Sequence, residues 1–381
     1  MCIRDRGRLP EPARAPYYEL ATGRFDSQWI EIEGIVRTTT DEGRIMGEIA
    51  VPGGAMQLNF GDIALESLPP LVDARVRLRG ACGSDFTATG QLVGVRLFVG
   101  RLEDVVVLKA APEDPFALET RPLGQVLEFS ATEQASGHRI HVRGVVAVSR
   151  PGRFLTLQDD TGAIRVESTE ETPVQPGDVV DAVGFPTLVR QTRPFLSHAT
   201  YRRSGRGAAP EPRVVEEEGL LSWEHDATLV RVGAQLLGTT VTPRARILTL
   251  RLGENVFSAE IEDLGAGDEL SGIVQGSEVQ VTGVYAYAPG PPASFRLHLR
   301  GPEDVVVTQA ASWWSLRHTL VLLASLLLVA AVSGVWIRSS RRKSRDLEEA
   351  HEELSRAHEG LEDRVRQRTA ALDHEVAERS R

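Results

Sequence analysis

The chain has 381 residues, too many for one hydrophobic core, and carries 43 Lys and Arg against 53 Asp and Glu, a formal net charge of −10. That balance disfavours nucleic acid as a ligand, because neutralising phosphates needs a basic face. The two cysteines, Cys2 and Cys82, exclude a disulfide framework, so any exported part must rely on packed cores, and Cys82, at the end of an apolar strand, reads as a free buried thiol.

Residues 1–25 form a charged, proline-rich leader and linker with no apolar stretch long enough for a signal peptide, so the expectation is that the natural amino terminus lies upstream. The first six residues, MCIRDR, resemble adapter read-through and contribute nothing to the fold reading.

The region before the uncharged run at 319–337 repeats itself at an offset of 200 residues: Pro10-Glu11-Pro12 recurs as Pro210-Glu211-Pro212, Asp26 as Asp226, and Glu103-Asp104-Val105-Val106-Val107 as Glu303-Asp304-Val305-Val306-Val307. A weaker third copy lies between. The alternating segments IEIEGIV (30–36), IHVRGVV (140–146) and VRVGAQL (230–236) read as opening strands of period 2. A later strand recurs as VRLRGAC (76–82), VDAVGFP (180–186) and VQVTGVY (279–285), each with glycine fifth: Gly80, Gly184 and Gly283. A mid-strand glycine points to a bulge or bend of the kind a small barrel needs. The clearest hairpin, FLTLQDDTGAIRV (154–166), turns at Asp159-Asp160-Thr161-Gly162. The expected fold is mainly β, with OB-like five-stranded barrels at 26–110, 111–209 and 210–311; a β-sandwich is the alternative.

Thr319–Ile337 contains no charge, and its nineteen residues reach about 28 Å, enough to cross a hydrocarbon core. The expected transmembrane helix is 316–338. Arg338, Arg341, Arg342, Lys343 and Arg345 follow at once, whereas the other flank has only Arg317 and His318 beside Glu303 and Asp304. The basic side stays inside, which predicts a single pass with 1–318 periplasmic and 338–381 cytoplasmic. Trp313 and Trp314 fit the outer interface and Trp336 the inner one.

Residues 339–381 read as one charged helix. Leu347, Ala350, Leu354, Ala357 and Leu361 are spaced 3 and 4 apart, and Val365, Thr369, Leu372 and Val376 resume that spacing after a one-residue shift. This predicts the seam of a parallel dimeric coiled coil, with the shift allowing two packings. The pattern stops without a cap, so the expectation is that an output domain follows.

LQDDTGAIRV (157–166), the downstream GDVVDAVGF (177–185) and the opening RFDSQWIEIEGIVR (24–37) resemble the OB-like repeats of large bacterial membrane-bound sensor proteins. LEDRVRQRTAALDHEVAERSR (361–381) resembles the signalling helix that such proteins place before a PAS, kinase or cyclase domain. The resemblance implies the amino-terminal half of a sensor histidine kinase in the inner membrane, with an unknown periplasmic ligand or partner protein and a homodimer through the coiled coil. Some diguanylate cyclases share that input half. The chain departs from the family in carrying no phospho-acceptor box, ATP-binding motif or cyclase motif. A membrane-anchored array binding a saccharide or protein, without enzyme activity, is the competing reading.

Other candidate sites read more simply. Asp159 and Asp160 fit a turn better than a cation site. His138 and His141 have no identifiable further ligands and read as surface-facing strand residues. His351 and His358 fall on a solvated helix face. Phe154, Phe185, Phe257, Tyr285 and Tyr287 read as core rather than as stacking platforms. No catalytic residue, metal site or cofactor is assigned. Because the part outside residues 338–381 holds 32 basic against 42 acidic residues, a fluorescence-anisotropy titration of residues 26–311 with DNA and RNA oligonucleotides at physiological salt is expected to show no sub-micromolar binding.

Overall fold

The computed structural model describes residues 10–41, 45–128, 137–188, 193–262, 270, 272–290, 294–311 and 316–379. It falls into two units, 1–311 and 312–381. The first is mainly β, and the described residues of the second form a single helix.

The first unit contains three sheets, each rolled on itself. In the first barrel the strands are β1 (Trp29–Asp41), β2 (Ile45–Val51), β3 (Gly54–Asn59), β4 (Arg75–Phe86) and β5 (Leu92–Phe98). In the second they are β8 (Ile140–Arg150), β9 (Phe154–Gln158), β10 (Ala163–Glu167), β11 (Asp178–Thr187) and β12 (Phe195–Arg206). In the third they are β14 (Leu229–Val241), β15 (Ala245–Leu252), β16 (Asn255–Glu262), β17 (Glu278–Ala288) and β18 (Ser294–His298). The order is the same each time. The first strand pairs with the second and the fourth, the third lies parallel to the fifth, and the fifth pairs back on the fourth. In the second barrel the parallel closure is one bridge, Val166 to Leu196. This is the OB-type barrel that the repeat predicts.

Four short strands extend the five-strand plan. β6 (Val105–Lys109) and β19 (Val305–Gln309), the recurrent EDVVV segments, add to β4 and β17. β7 (Thr120–Arg121) and β13 (Arg213–Val214) lie parallel to β8 and β14. Two short helices, α1 (Tyr17–Leu20) and α2 (Leu123–Leu127), precede the first two barrels.

Alternation explains the interiors. Along β4, Val76, Leu78, Gly80 and Cys82 point in, while Arg75, Arg77 and Arg79 point out. Each barrel has its own apolar core. Cys82 is free and buried, and burial, with a smaller contribution from Asp26, pushes its thiol up to about 11.

Each first strand is long because it serves two neighbours. Residues 29–35 of β1 pair with β4, and 35–41 pair with β2. The register slips just past the handover, at Arg37 in β1, Ala147 in β8 and Leu237 in β14. These bulges stand seven residues after Ile30, Ile140 and Val230, so the bend that closes each barrel recurs at one sequence position. Left-handed backbone recurs too. Ser27, Gly137 and Ala227 have φ of 60°, 64° and 65°, each three residues before those same positions.

The fifth-position glycines have a different role from the one expected. Only Gly184 sits at a register slip, between Val183 and Phe185. At Gly80 a Cβ would collide with the Phe98 carbonyl oxygen, and at Gly283 it would press on the equivalent His298 carbonyl, 3.1 Å away. There the glycine admits a neighbouring strand's backbone. Gly80→Ala is therefore expected to cost about 1–3 kcal/mol, read as a lower denaturant midpoint at unchanged slope. Gly233→Ala, where a Cβ meets nothing within 4 Å, should stay within about 0.5 kcal/mol. Equal losses at the two sites would overturn the close-approach account.

Candidate functional site

The second unit is α3 (Leu316–Arg379), one unbroken helix of 64 residues. It includes His318–Lys343, whose most apolar 18 residues have a mean hydropathy of 2.6, long and apolar enough to cross a membrane. The side chains of Leu322, Leu326, Val329 and Val332 are all exposed. Trp336, Arg338, Arg341, Arg342 and Lys343 are exposed on the same helix, at and beyond the end of the apolar run. Trp313 and Trp314 lie outside the described residues.

Of the seam positions, Leu347, Leu354, Leu361 and Val365 are exposed. Leu372 and Val376 are on the helical backbone, and their side chains are outside the described residues. At about 100° per residue all six positions fall within an arc of about 60°. The first three drift about 20° per heptad, and the four-residue step from Leu361 to Val365 brings the stripe back to its starting azimuth. His351, on this helix, is solvent-exposed; the side chain of His358 is outside the described residues.

In the barrels, Asp159 caps its hairpin. Its Oδ1 accepts hydrogen bonds from the backbone N–H of Thr161 and Gly162 at 2.8 Å and from Thr161 Oγ1 at 2.7 Å, and its Oδ2 accepts from Leu123 N at 3.0 Å. Asp160 points to solvent. Phe154, Phe185, Phe257 and Tyr285 are buried and Tyr287 is half-buried against the third core. Tyr285 stacks on Phe295 at 4.6 Å and donates to Leu220 O at 2.7 Å; burial, Asp226 and Tyr287 raise its phenol.

The surface reading of His141 is corrected. It is buried, and its Nε2 lies 3.3 Å from Asp181. Arg143 donates to the same carboxylate at 2.6 Å, and Arg202 is near. Burial alone would raise Asp181, but the hydrogen bond and charge of Arg143, aided by His141, hold it below the usual carboxylate range. Arg143 and Asp181 are directly cross-strand, and the same position in the first barrel holds Glu33 opposite Arg77 with the signs exchanged. A cross-strand ion pair needs opposite signs and not a given order, so the copies look unlike in sequence while keeping the pair. Among the described residues no group of three or more His, Cys, Asp or Glu side chains has the geometry of a metal site.

The junctions between barrels were not foreseen. Between the second and third, the bulge residue Ala147 is buried in a cluster with Val148, Phe154, Leu229 and Val284. Buried Arg150 donates to Leu299 O at 2.6 Å and lies 3.3 Å from Glu262. Between the first and second, the bulge residue is Arg37. Its guanidinium and that of Arg139 lie 5.9 and 5.2 Å from the Phe185 ring centroid. Burial lowers both guanidinium groups, and Glu48 and Asp73 oppose this. Asp73 accepts from Arg139 N at 3.1 Å and pairs with His138 Nδ1 at 2.9 Å.

Asp73 has φ of 68°, where the other copies have Gly177 and Gly276 with φ of 91° and 92°. All three donate their N–H to the same partner, the carbonyl of Val36, Val146 or Leu236. An aspartate in place of glycine bears backbone strain and gains a carboxylate aimed at the next barrel. Aligning the three copies on their fourth-strand glycines exposes this residue, as aligning on the first strands exposes Arg37 against Ala147 and Leu237.

No protein-family model matches the chain, and no curated protein matches it. Among solved structures it is similar to an aspartyl-tRNA synthetase from Entamoeba histolytica, at 15% identity over 27% of this chain and 23% of that one, with a TM-score of 0.23. It is also similar to an asparaginyl-tRNA synthetase from Pyrococcus horikoshii, at 19% identity over 26% and 23% of the two chains, with a TM-score of 0.21. A murine DNA-binding protein bound with double-stranded DNA matches at 9% identity over 45% of this chain and 99% of its own, with a TM-score of 0.25. This chain spans about a quarter of the length of the synthetase chains. At these scores the barrel topology rests on the strand pairings described above.

The second junction carries a pH signature. His298 packs on Phe154 at 5.2 Å, and burial, reinforced by Arg150, Arg165, Arg296 and Arg153, lowers it from 6.5 to about 3. The folded chain thus keeps His298 neutral where the unfolded chain protonates it. This contribution is whole above pH 6.5 and is lost as pH falls from there toward about 3. His298→Gln should therefore flatten the dependence of stability on pH below about 6.5, by up to about 1.4 kcal/mol per pH unit relative to the parent. Denaturant titrations at several pH values measure this, and parallel curves for the two proteins would refute it.

Proposed function

We propose that the chain is the periplasmic sensor and transmembrane coupling region of a two-component sensor histidine kinase, with the barrels outside, one membrane crossing, and a parallel homodimer inside. The observation that carries this reading is the continuity of α3. An apolar stretch long enough to span a bilayer runs without interruption into a stripe on which six seam positions share one face. Gly360, the one interior glycine after the basic cluster, does not break it. A rotation or shift at the membrane is thereby passed to the seam, and the step between Leu361 and Val365 provides two packings between which a stimulus selects. The basic cluster from Arg338 to Arg345 sets the orientation and meets anionic headgroups. The membrane holds two helices parallel and raises their local concentration, which supports a seam whose alanines bury little area.

Disulfide crosslinking of single cysteines placed along 344–381, in membranes, tests this. Crosslinks between chains are expected at Leu347→Cys, Leu354→Cys and Leu361→Cys with a 3-and-4 periodicity. Leu361→Asp should reduce the Leu354→Cys crosslink about tenfold by placing a charge in the apolar seam. Crosslinks without periodicity, or none between chains, would return the anchored binding array.

A further inference from the structure

Both junctions between barrels use the same two faces. One is a row of residues lying side by side on the first, fourth and fifth strands. In the third barrel the row is Leu229, Val284 and His298, in direct register. In the second, Phe185 and Ser197 hold the last two places, and Arg139 lies against Phe185. The other face is the first-strand bulge with the facing start of the second strand. The bulge face of the second barrel covers the row of the third: Ala147 and Val148 cluster with Leu229 and Val284, and Phe154 packs on His298 at 5.2 Å. The bulge residue of the first barrel, Arg37, likewise covers Phe185.

Three barrels joined by two junctions leave one face of each kind uncovered among the described residues. The row of the first barrel is Trp29, Ala81 and Phe98, again in direct register. Phe98 is 43% exposed, and Trp29 and Ala81 are half-buried, whereas Phe185, Leu229 and Val284 are at most 2% exposed. The Phe98 ring rests on Gly83, where a Cβ would come within 2.7 Å of it. The bulge face of the third barrel is Leu237, Gly238 and Ile247; Ile247 lies opposite Thr240 as Phe154 lies opposite Arg150. These three are half-buried, whereas Ala147, Val148 and Phe154 are at most 5% exposed.

We propose that copies of the chain associate head to tail, the bulge face of one copy's third barrel seating on the Trp29–Ala81–Phe98 row of the next copy's first barrel. Each uncovered face is the counterpart of one that the same chain buries at its own junctions. Sizes match as well. Leu237 is larger than Ala147 and Ala81 is smaller than Val284, so the exchange nearly conserves apolar volume. Ile247 takes the place of Phe154, and Phe98 that of His298, which again sets one aromatic ring against an apolar side chain. Such a contact joins two different faces, so it links chains in succession instead of closing a pair. It rests on the barrels and not on the signalling reading.

The test uses the full chain in detergent micelles at about 100 μM, in a Cys2→Ser background, Cys82 being buried. Thr240 and Gly100 flank the contact without forming it. Arg150, the equivalent of Thr240, donates to Leu299 O at 2.6 Å, and Gly100 follows Val99, the equivalent of Leu299. Both are exposed, and a Cβ at Gly100 meets nothing within 4 Å. Two differently tagged preparations, one with Gly100→Cys and one with Thr240→Cys, are mixed and treated with a short bismaleimide. Crosslinks between unlike tags are expected, with at least about tenfold fewer between like tags. Phe98→Asp in the first preparation, or Leu237→Asp in the second, should reduce the mixed crosslink about tenfold or more by placing a charge in the apolar contact. Circular dichroism confirms each variant's fold, and Phe98→Asp, at an exposed position, decides the matter if Leu237→Asp is unfolded. No crosslink between unlike tags, equal crosslinking of like tags, or a mixed crosslink unchanged in either folded variant would overturn the proposal. Crosslinks along 344–381 are read separately, so the helix reading and this one can each fail alone.

Discussion

Each barrel exists because one strand pairs with two partners in succession. The amino-terminal half of the first strand pairs with the fourth, the carboxyl-terminal half with the second, and the handover falls on Ile35, Val145 and Gln235. A flat strand would hold the two partners on its opposite edges in an open sheet and could not bring the sheet round on itself. The bulge two residues later turns the strand, and closure leaves the five core strands without an open edge between them. The three apolar interiors follow from that closure, since a period-2 strand bent into a barrel puts one complete set of side chains inside.

The copies preserve backbone devices more faithfully than side chains. The left-handed residue before the first strand, the bulge within it, the left-handed residue before the fourth strand and the fourth-strand glycine recur at fixed spacing. Side chains at those points differ by what the next barrel requires. Ala147 is small and buried in a dry junction, whereas Arg37 reaches Phe185 of the second barrel. Asp73 is the one residue among the three equivalents that bears a side chain in left-handed backbone, and its carboxylate engages His138 and the Arg139 N–H. Departures from the repeat thus collect at the first junction. Strain held by the surrounding structure often accompanies a special local role.

The helix obeys a different rule. Its apolar stretch has no protein covering it among the described residues, and its seam keeps to one face only because the four-residue step corrects the drift of the heptads. The barrels place apolar side chains against each other, while the helix leaves them exposed, in the proposed function to lipid along one stretch and to a second helix along the other.

Much of this was legible in the residues. Alternation in 30–36, 140–146 and 230–236, the recurrent glycines, the turn at Asp159–Gly162 and the uncharged run 319–337 determined barrel strands and a membrane-length helix, because those features depend on local periodicity and chain length alone. That Leu347, Leu354, Leu361, Val365, Leu372 and Val376 share one face of a helix was legible for the same reason. The tertiary structure alone decided what the barrels do to one another. His141 looked like a surface residue, but β11 brings Asp181 against it and buries both. Arg37 and Phe185 are far apart in the chain and meet only where two barrels dock, as do Arg150 and Glu262. Whether a charged side chain is solvated, paired or left with open donors depends on what the rest of the chain brings near it, and no local pattern records that.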